Sequence, residues 1–522
     1  MPLSTHPAVQ PALRSAASLL VAAALLTACG GGGSDAGTAP FGNEGSNTGG
    51  SGLPASSTLA QQCAVDNPLA PQASRTATLD RERRWVRSYM DEAYLWYREI
   101  PSVNTSDANF NLASVPDSLD NYFRALKTRA TTNSGKLKDE FSFTYPTLAW
   151  EQLSGSGIVA GFGAEWISSE PTPTTRETRV AYVDPGTPAA TAAITRGMTV
   201  VSINGVSIND NTDAGLAVLN EAIFSPRDGQ SYNFVFADLS GVQRAVTLRA
   251  AQVTKTPVQN VSTINTPSGR VGYMTFNDHI DPAEGQLANA FTQFQSQGIS
   301  DLVLDLRYNG GGFLYIASEI GYMVAGTTRT AGKTFERLQF SDKRTADTND
   351  PESNTPFYNV ASGRPNTGTA ANTPLPSLNL ARVYVLASPG TCSASEAVVN
   401  GLRGVGVDVI LVGGTTCGKP YGFTAKDNCG LSYFPIEFKG VNQLGFGDYA
   451  DGFAPTSTCT VADDFSKALG DGSEGMLAAA LNHRATGSCG GTATGREAPQ
   501  AAGAVTFGRV IRHPVRESKI RR

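Results

Sequence analysis

Two residues that could perform covalent chemistry stand at neighbouring strand exits of the chain. Ser393 lies between a predicted buried strand, 381–386, and a predicted helix, 395–403, so its hydroxyl is exposed with a helix dipole behind it. A serine becomes a nucleophile only beside a base, and no histidine is near it in sequence. Lys419 follows the next strand among Gly, Pro and aromatic residues, where partial desolvation would lower the pKa of its amine and let it act as that base. A solvated surface lysine is the alternative that residue type alone leaves open.

A glycine-rich turn could complete such a site. The sequence DLRYNGGG at 305–312 follows a buried strand, and its three glycines leave backbone N–H groups uncovered at a helix N-terminus, where they can bind an anion. The pattern G-x-x-x-x-G-K-[ST] does not occur in the sequence, which excludes a P-loop and leaves an oxyanion as the candidate ligand. We expect Asp305 and Arg307 to fix this turn by hydrogen bonds.

Composition excludes several classes of protein. The chain has 522 residues, with 41 Lys and Arg against 46 Asp and Glu, and its net charge of -5 excludes the chain-wide basic surface of a nucleic-acid-binding protein. A hydrophobic content of 40% excludes a wholly disordered chain. The length indicates about two to four domains.

The first sixty residues are expected to direct export and then to act as a tether. Residues 15–28 form an apolar stretch that is too short for a comfortable membrane span, as in a signal peptide. The stretch ends in LTAC, which resembles the bacterial lipobox and implies lipidation of Cys29. We therefore predict a lipoprotein signal peptide at 1–28 and a Gly/Ser-rich flexible tether at 29–60. An ordinary signal peptide that contains a cysteine is the alternative.

The remainder of the chain has the pattern of a multidomain α/β protein. Apolar residues at helical spacing, as in a helix predicted over 80–101, indicate a small helical N-terminal domain at 61–154. Strands and helices alternate over 259–490, which predicts an α/β core of ββα-type layers, with 326–379 as a polar, loop-rich insertion. Residues 491–522 have few apolar side chains and end in basic ones, so we expect a flexible tail.

Between these regions, residues 155–258 have the pattern of short strands around one helix and resemble a PDZ domain. VDPGTPA at 183–189 and SING at 202–205 resemble its middle. Its carboxylate-binding loop corresponds to Gly161, Phe162, Gly163 and Ala164. The resemblance implies that a peptide C-terminus is added as a strand and that backbone N–H groups hold its carboxylate. A β-domain with only a packing role is the alternative.

Six cysteines follow Cys29, and this even number suits an oxidising compartment after export. Among the roughly fifteen possible pairings, we prefer Cys417–Cys429, which flank a turn, and Cys459–Cys489, which bracket the last predicted helix. The sequence has no C-x-x-C and only four His, so we predict no metal site.

Three motifs in order resemble the carboxyl-terminal-processing, or tail-specific, serine proteases. They are DLRYNGGG at 305–312, SPGTCSASEAVVNGL at 388–402 and GKPYGF at 418–423. A PDZ domain and a helical segment ahead of the core fit the same family, so that the resemblance covers about residues 84–487.

The resemblance implies a role for each residue of the site. Ser393 is the expected nucleophile and Lys419 the expected general base. Backbone N–H groups of Gly311 and Ala394 are expected to form the oxyanion hole. The family mechanism implies no metal and no organic cofactor.

The sequence departs from the family pattern at one chemically important position. Many members place a glutamine four residues after the lysine to orient it, and here that residue is Phe423. Ser395 or Cys392 as nucleophile and His279 as base remain alternatives. Glu396, in the first turn of its helix, is interpreted as a residue that favours the helix dipole.

These features predict a lipid-anchored serine endopeptidase of the bacterial cell envelope. It would cleave exported polypeptides near their free C-termini by a Ser-Lys acyl-enzyme mechanism. The expected partners are polypeptide substrates and, through Cys29, a membrane, with a preference for the outer membrane facing the periplasm or the cell surface; no nucleic acid is expected. A PDZ-containing peptide-binding scaffold that has lost efficient catalysis is the rival prediction.

Overall fold

A computed structural model describes residues 52–172, 175–490 and 519–520 of the chain. The predicted signal peptide, Cys29, most of the tether and nearly all of the tail lie outside these residues. Where the tether is predicted to end, the structure differs, because Ser56 donates hydrogen bonds from both its backbone and its hydroxyl to the Glu92 carboxylate. Within the described ranges, no helix combines the length and the apolar character that crossing a bilayer requires.

The N-terminal helices pack onto the α/β core and share its hydrophobic cluster. The ring of Trp85 lies 5.0 Å from that of Tyr433, which belongs to the core. The first long helix ends at Ala93, well before the predicted end, because the Leu95 N–H leaves helical geometry and donates to the Ile436 carbonyl at 2.7 Å. The elements of this region are β1 (Cys63–Ala64), β2 (Arg75–Ala77), α1 (Leu79–Ala93), α2 (Val115–Ala125), β3 (Phe143–Pro146) and α3 (Thr147–Glu151).

The β-rich region, residues 155–258, encloses a second hydrophobic core, in which Phe162, Trp166 and Phe234 pack together. Its elements are β4 (Ile158–Gly161), β5 (Ala164–Thr172), β6 (Thr175–Val183), α4 (Pro188–Thr191), β7 (Thr199–Ile203), β8 (Val206–Ser207), α5 (Asp213–Phe224), β9 (Ser231–Ala237), β10 (Gln243–Arg249) and β11 (Ala251–Thr254). The main sheet has the order β10-β9-β7-β6-β5, with β8 beside β7, so β5 is a terminal strand.

The α/β core is built on a five-stranded sheet. Its elements are β12 (Val258–Thr266), β13 (Gly269–Phe276), α6 (Ala283–Gln297), β14 (Asp301–Asp305), β15 (Gly312–Phe313), α7 (Leu314–Ala325), α8 (Thr327–Thr330), β16 (Thr334–Phe340), α9 (Thr345–Asn349), β17 (Asn354–Pro356), β18 (Arg382–Ala387), α10 (Ala394–Gly404), β19 (Asp408–Gly413), β20 (Tyr421–Gly422), β21 (Lys426–Asn428), β22 (Leu431–Phe434), β23 (Phe438–Val441), α11 (Gly475–Thr486) and β24 (Lys519–Ile520).

Parallel pairing in this sheet brings the two chemically important turns together. The order is β12-β13-β14-β18-β19, with β13, β14, β18 and β19 parallel and β12 antiparallel at the edge. The glycine turn follows β14 and the Ser393 turn follows β18, its neighbour. Because parallel strands end at the same edge of a sheet, both turns lie at that edge.

The predicted insertion at 326–379 contains regular structure. Its strand β16 lies inside an antiparallel sheet of order β17-β16-β23-β20. Phe335, Leu338 and Phe340 are buried along β16, which explains why a largely polar stretch still forms a strand. The predicted tail also differs at 519–520, where β24 pairs in parallel with β15.

Three disulfides cross-link the described residues. Cys459–Cys489 confirms one prediction. The predicted Cys417–Cys429 bond is wrong, because Cys429 bonds to Cys63 and Cys417 bonds to Cys392, with Cα–Cα distances of 5.4 and 5.2 Å. Tertiary proximity therefore overrides closeness in sequence.

We expect the combined changes Cys63→Ala and Cys429→Ala to lower the free energy of unfolding by about 2–5 kcal/mol, since this bond restricts a long loop in the unfolded chain. Its partners are 366 residues apart, against 30 for Cys459 and Cys489. Removing the shorter link should therefore cost about 2 kcal/mol less. Urea unfolding of both double variants measures the difference, and an equal loss would contradict the expectation.

Candidate active site

Ser393 occupies a strained turn between β18 and α10. Its backbone has φ 58° and ψ -111°, a combination that is unfavourable for any residue with a Cβ atom and costs about 1–3 kcal/mol. The side chain is buried, and its Oγ makes no hydrogen bond within the described part of the chain. A strained strand-to-helix turn with an unbonded hydroxyl is typical of a nucleophilic serine.

Lys419 is buried, which excludes the solvated surface lysine. Its Nζ atom lies 5.1 Å from the ring centre of Phe141 and 4.7 Å from that of Phe423. The preceding Gly418 has φ +88°, and a Cβ atom there would lie 2.2 Å from the Ala450 carbonyl oxygen. This glycine lets the chain make the close turn that directs Lys419 inward.

The Glu396 carboxylate joins the two turns. Its Oε2 atom accepts hydrogen bonds from the backbone N–H groups of Ser393 at 2.9 Å and Lys419 at 2.8 Å. Its Oε1 atom accepts from the Thr416 hydroxyl at 2.5 Å and the Gly418 N–H at 2.9 Å. Burial raises the pKa of Glu396, and the four donors counteract that effect. The interpretation of Glu396 as only a helix-dipole residue is therefore incomplete.

A disulfide links the same two turns. Cys392 precedes Ser393, and Cys417 lies two residues before Lys419. The Cys417 N–H also donates to the Thr391 carbonyl at 3.0 Å. With its sulfur in this bond, Cys392 has no thiol, so the alternative of a cysteine nucleophile is wrong for the oxidised protein.

The glycine turn lies directly against the Ser393 turn. The Asn309 carbonyl accepts from the Cys392 N–H at 3.1 Å and from the Ser395 hydroxyl at 3.0 Å. The Ser395 hydroxyl is thus engaged in a structural hydrogen bond. The Gly311 N–H donates to Asn309 Oδ1 at 2.9 Å, so the predicted oxyanion donor is engaged in this conformation. Ala394 begins α10, where an N–H has no acceptor within the helix.

A network of buried charged side chains around Arg307 holds the glycine turn in place, as predicted. Arg307 contacts Asp305 at 2.9 Å, Asp463 at 2.7 Å and Glu474 at 2.8 Å. Asp463 also accepts hydrogen bonds from Tyr308 and from Arg196 of the β-rich region. Asp305 and Arg307 are therefore structural residues.

His279 contacts the glycine turn through its backbone and its ring. Its N–H donates to the Gly311 carbonyl at 3.1 Å, its carbonyl accepts from Phe313 at 2.8 Å, and its Nδ1 lies 3.0 Å from Asn309 Oδ1. Burial lowers the pKa of His279 to about 4, so the ring is neutral at neutral pH.

The predicted carboxylate-binding loop lines a cleft of about 390 Å³. Phe224 from α5 and Lys255 line the same cleft. The loop is fixed by bonds from the Asp184 N–H to the Gly163 carbonyl and from the Ala189 N–H to the Phe162 carbonyl. Gly163 has φ +79°, and a Cβ atom there would lie 2.3 Å from Thr187. The next strand, β5, leaves one edge of the sheet open to a further strand.

Within the described ranges, one group of side chains has the proximity that metal binding requires, Cys392, Glu396 and Cys417. Both sulfurs are bonded to each other, and the carboxylate already accepts four hydrogen bonds. These residues do not fit a metal ion in this form.

Comparison with known proteins finds two family models that match this chain. The Peptidase family S41 model matches residues 270–426, which include Ser393 and Lys419. The Peptidase S41 N-terminal domain matches residues 81–143.

Curated relatives include the chloroplastic carboxyl-terminal-processing peptidase 3 of Arabidopsis thaliana, which is 26% identical over 362 residues. That match covers 65% of this chain and 62% of the relative. A probable CtpA-like serine protease of Staphylococcus aureus is 25% identical over 194 residues, or 36% of each chain. Each of these matches spans less than two thirds of the relative.

Among solved structures, a putative S41 protease from Bacteroides fragilis has a TM-score of 0.53 at 24% identity. The match covers 77% of this chain and 97% of that one. The two proteins therefore share a fold.

We expect Glu396→Gln to disconnect the two turns, because an amide nitrogen would face two N–H or O–H donors and leave them unpaired. The free energy of unfolding should fall by about 2–4 kcal/mol, and labelling of Ser393 by a fluorophosphonate should slow at least about a hundredfold. The matched control is Glu437→Gln, a buried carboxylate that contacts Tyr89 and Arg344. That variant should lose stability and keep its labelling rate; equal labelling losses would contradict the role of Glu396.

Proposed function

The chain belongs to peptidase family S41, and on that basis we propose that it is a serine endopeptidase with Ser393 as nucleophile and Lys419 as general base. One observation carries the proposal: a single oxygen of Glu396 accepts the backbone N–H groups of both residues. The backbone nitrogens of Ser393 and Lys419 are therefore no farther apart than the summed lengths of these two hydrogen bonds. This proximity and the burial of Lys419 support a Ser-Lys pair.

In the proposed mechanism, Ser393 Oγ attacks the carbonyl carbon of a peptide bond while Lys419 Nζ takes the hydroxyl proton. The carbon–nitrogen bond then breaks, and Lys419 returns the proton to the leaving amine. Water attacks the acyl-enzyme, again with Lys419 as base, and releases the new C-terminus. Ala394 N–H would stabilise the oxyanion, and Gly311 N–H would join it once its bond to Asn309 Oδ1 opens.

The β-rich region is proposed to bind the C-terminus of the substrate in a PDZ-like manner. The open edge of β5 could pair with an extended peptide, and the adjoining cleft has the loop Gly161–Ala164 at its end. The names of the curated relatives, which refer to C-terminal processing, support the same preference.

The second candidate function is a peptide-binding scaffold without efficient catalysis. Two observations favour it: Phe423 stands where many relatives have an orienting glutamine, and the Gly311 N–H is bonded to Asn309. Turnover decides between the two candidates.

The proposed location is the bacterial cell envelope, with a lipid on Cys29 as anchor. The support is the LTAC sequence at 26–29 after an apolar stretch. Cys29→Ser should release the protein from membranes; a variant that still fractionates with detergent-soluble membrane proteins would contradict the anchor.

We expect Ser393→Ala to abolish fluorophosphonate labelling and peptide cleavage, and Lys419→Ala to reduce both at least about a thousandfold while folding is preserved. The labelling rate should rise with pH, because only the neutral base accepts a proton. A rise complete below about pH 6 would point to His279, whose pKa is about 4, whereas a rise centred well above it fits a lysine. If Lys419→Ala is labelled at the normal rate and His279→Ala is not labelled, then His279 and not Lys419 is the general base.

We expect cleavage of a long substrate to depend on its free C-terminal carboxylate. Amidation should weaken binding by about 1.5–3 kcal/mol, or about tenfold or more, because a charged hydrogen bond is lost. A short reporter peptide that cannot reach the β-rich region is the control and should be cleaved equally in both forms. Equal cleavage of free and amidated long substrates would show that the region does not select C-termini.

A further inference from the structure

We propose that Phe141 and Phe423 are positioning residues for Lys419, and that their two ring faces confine its Nζ atom and stabilise the ammonium that forms when it takes the serine proton. The Nζ atom lies 5.1 and 4.7 Å from the two ring centres, within the distance of a cation–π contact. The inference rests on the proposed function, because it concerns Lys419 as the base.

Phe423 is held rigidly from the side of the core. It is completely buried, and its ring centre lies 5.6 Å from that of Phe143 and 5.3 Å from that of Phe434. Phe143 and Phe434 stack on each other at 4.4 Å. A ring packed on this pair cannot rotate away from Lys419 without disturbing the stack.

Phe141 approaches Lys419 from the N-terminal part of the chain. Asp139 fixes its backbone: one carboxylate oxygen accepts the Phe141 N–H at 3.0 Å and the Ser142 N–H at 2.8 Å. The other oxygen accepts the hydroxyl of Tyr94, next to the end of α1, at 2.6 Å. Phe141 therefore reaches the lysine through a set of buried bonds that begins at the first long helix.

The chemistry of the rings suits this role. An aromatic face is negative and attracts an ammonium group, and the attraction is stronger where water is excluded. A neutral amine gains less from the same faces, so the contact favours the protonated lysine that follows proton transfer from Ser393. The two rings thus stabilise the ammonium from two sides.

The test measures the rate of fluorophosphonate labelling of the full chain from about pH 5 to about pH 10. In Phe141→Leu and in Phe423→Leu the ammonium loses one aromatic face, so the pKa that governs labelling falls and the rising limb moves to lower pH. We expect a shift of about half a pH unit to one unit for each ring, with a plateau about tenfold lower because the amine is less well oriented. Phe141→Tyr retains the aromatic face, so the rising limb of its labelling profile should stay at the wild-type pH.

Phe291→Leu on α6 is the matched control, because its ring is completely buried in the same hydrophobic cluster and packs on Phe294. It should lower the thermal unfolding temperature and leave the rising limb in place. Phe141 is 8% exposed, so Phe141→Leu keeps the test available if the fully buried Phe423→Leu does not fold.

The outcomes separate this inference from the proposed function. If Lys419→Ala labels normally, the proposed function fails. Suppose instead that Lys419→Ala is not labelled. If the folded leucine variants of Phe141 and Phe423 then keep the wild-type limb, or Phe291→Leu moves it as far as they do, the aromatic contacts have no positioning role and the Ser-Lys mechanism stands. A shift in the folded leucine variants of Phe141 and Phe423 that is absent from Phe291→Leu supports the inference.

Discussion

Both halves of the site depend on the hydrogen bonds around one buried carboxylate, that of Glu396. Each charge-assisted bond of this kind contributes about 1.5–3 kcal/mol, and three backbone N–H groups and one hydroxyl surround the group. Together they outweigh the roughly 1–3 kcal/mol of backbone strain at Ser393. The need to satisfy a buried charge thus keeps the serine in its positive-φ turn and brings the lysine loop against it.

The surroundings of this carboxylate come from all parts of the described chain. Cys392–Cys417 links the turns covalently, and the charges around Arg307 fix the preceding glycine turn. Asp463 forms ion pairs with both Arg307 and Arg196. Through Arg196, the β-rich region is therefore connected to Arg307, just before the three glycines of the glycine turn. The N-terminal helices share the hydrophobic cluster of the core and position Phe141. The site is therefore a property of the whole arrangement.

The sequence predicts the local units of the site well and the long-range contacts poorly. The strand before Ser393 is found as β18 within one residue of its predicted range, because a buried apolar run is a local signal. The local sequence does not indicate that the Gly418 N–H donates to Glu396. Nor does it indicate that Cys417 pairs with Cys392 and not with Cys429. For the same reason α1 is overestimated: Trp96 and Tyr97 fall at the helical spacing that predicts a longer helix, but the hydrogen bond from Leu95 N–H to the Ile436 carbonyl redirects the chain.

The Cys63–Cys429 bond has a consequence for biosynthesis. At about 5–20 residues per second, the ribosome would need roughly 20–70 seconds to make the 366 positions that separate its two sulfurs. During that interval Cys63 is a nascent thiol without its partner, and Cys392 and Cys417 are made before Cys429. Correct maturation therefore requires either that the early segment stays unoxidised until the chain is nearly complete or that a wrong first linkage is exchanged afterwards. Because Cys63 is made long before Cys429, folding of this protein depends on catalysed thiol–disulfide exchange more than folding of a protein whose paired cysteines are close in sequence.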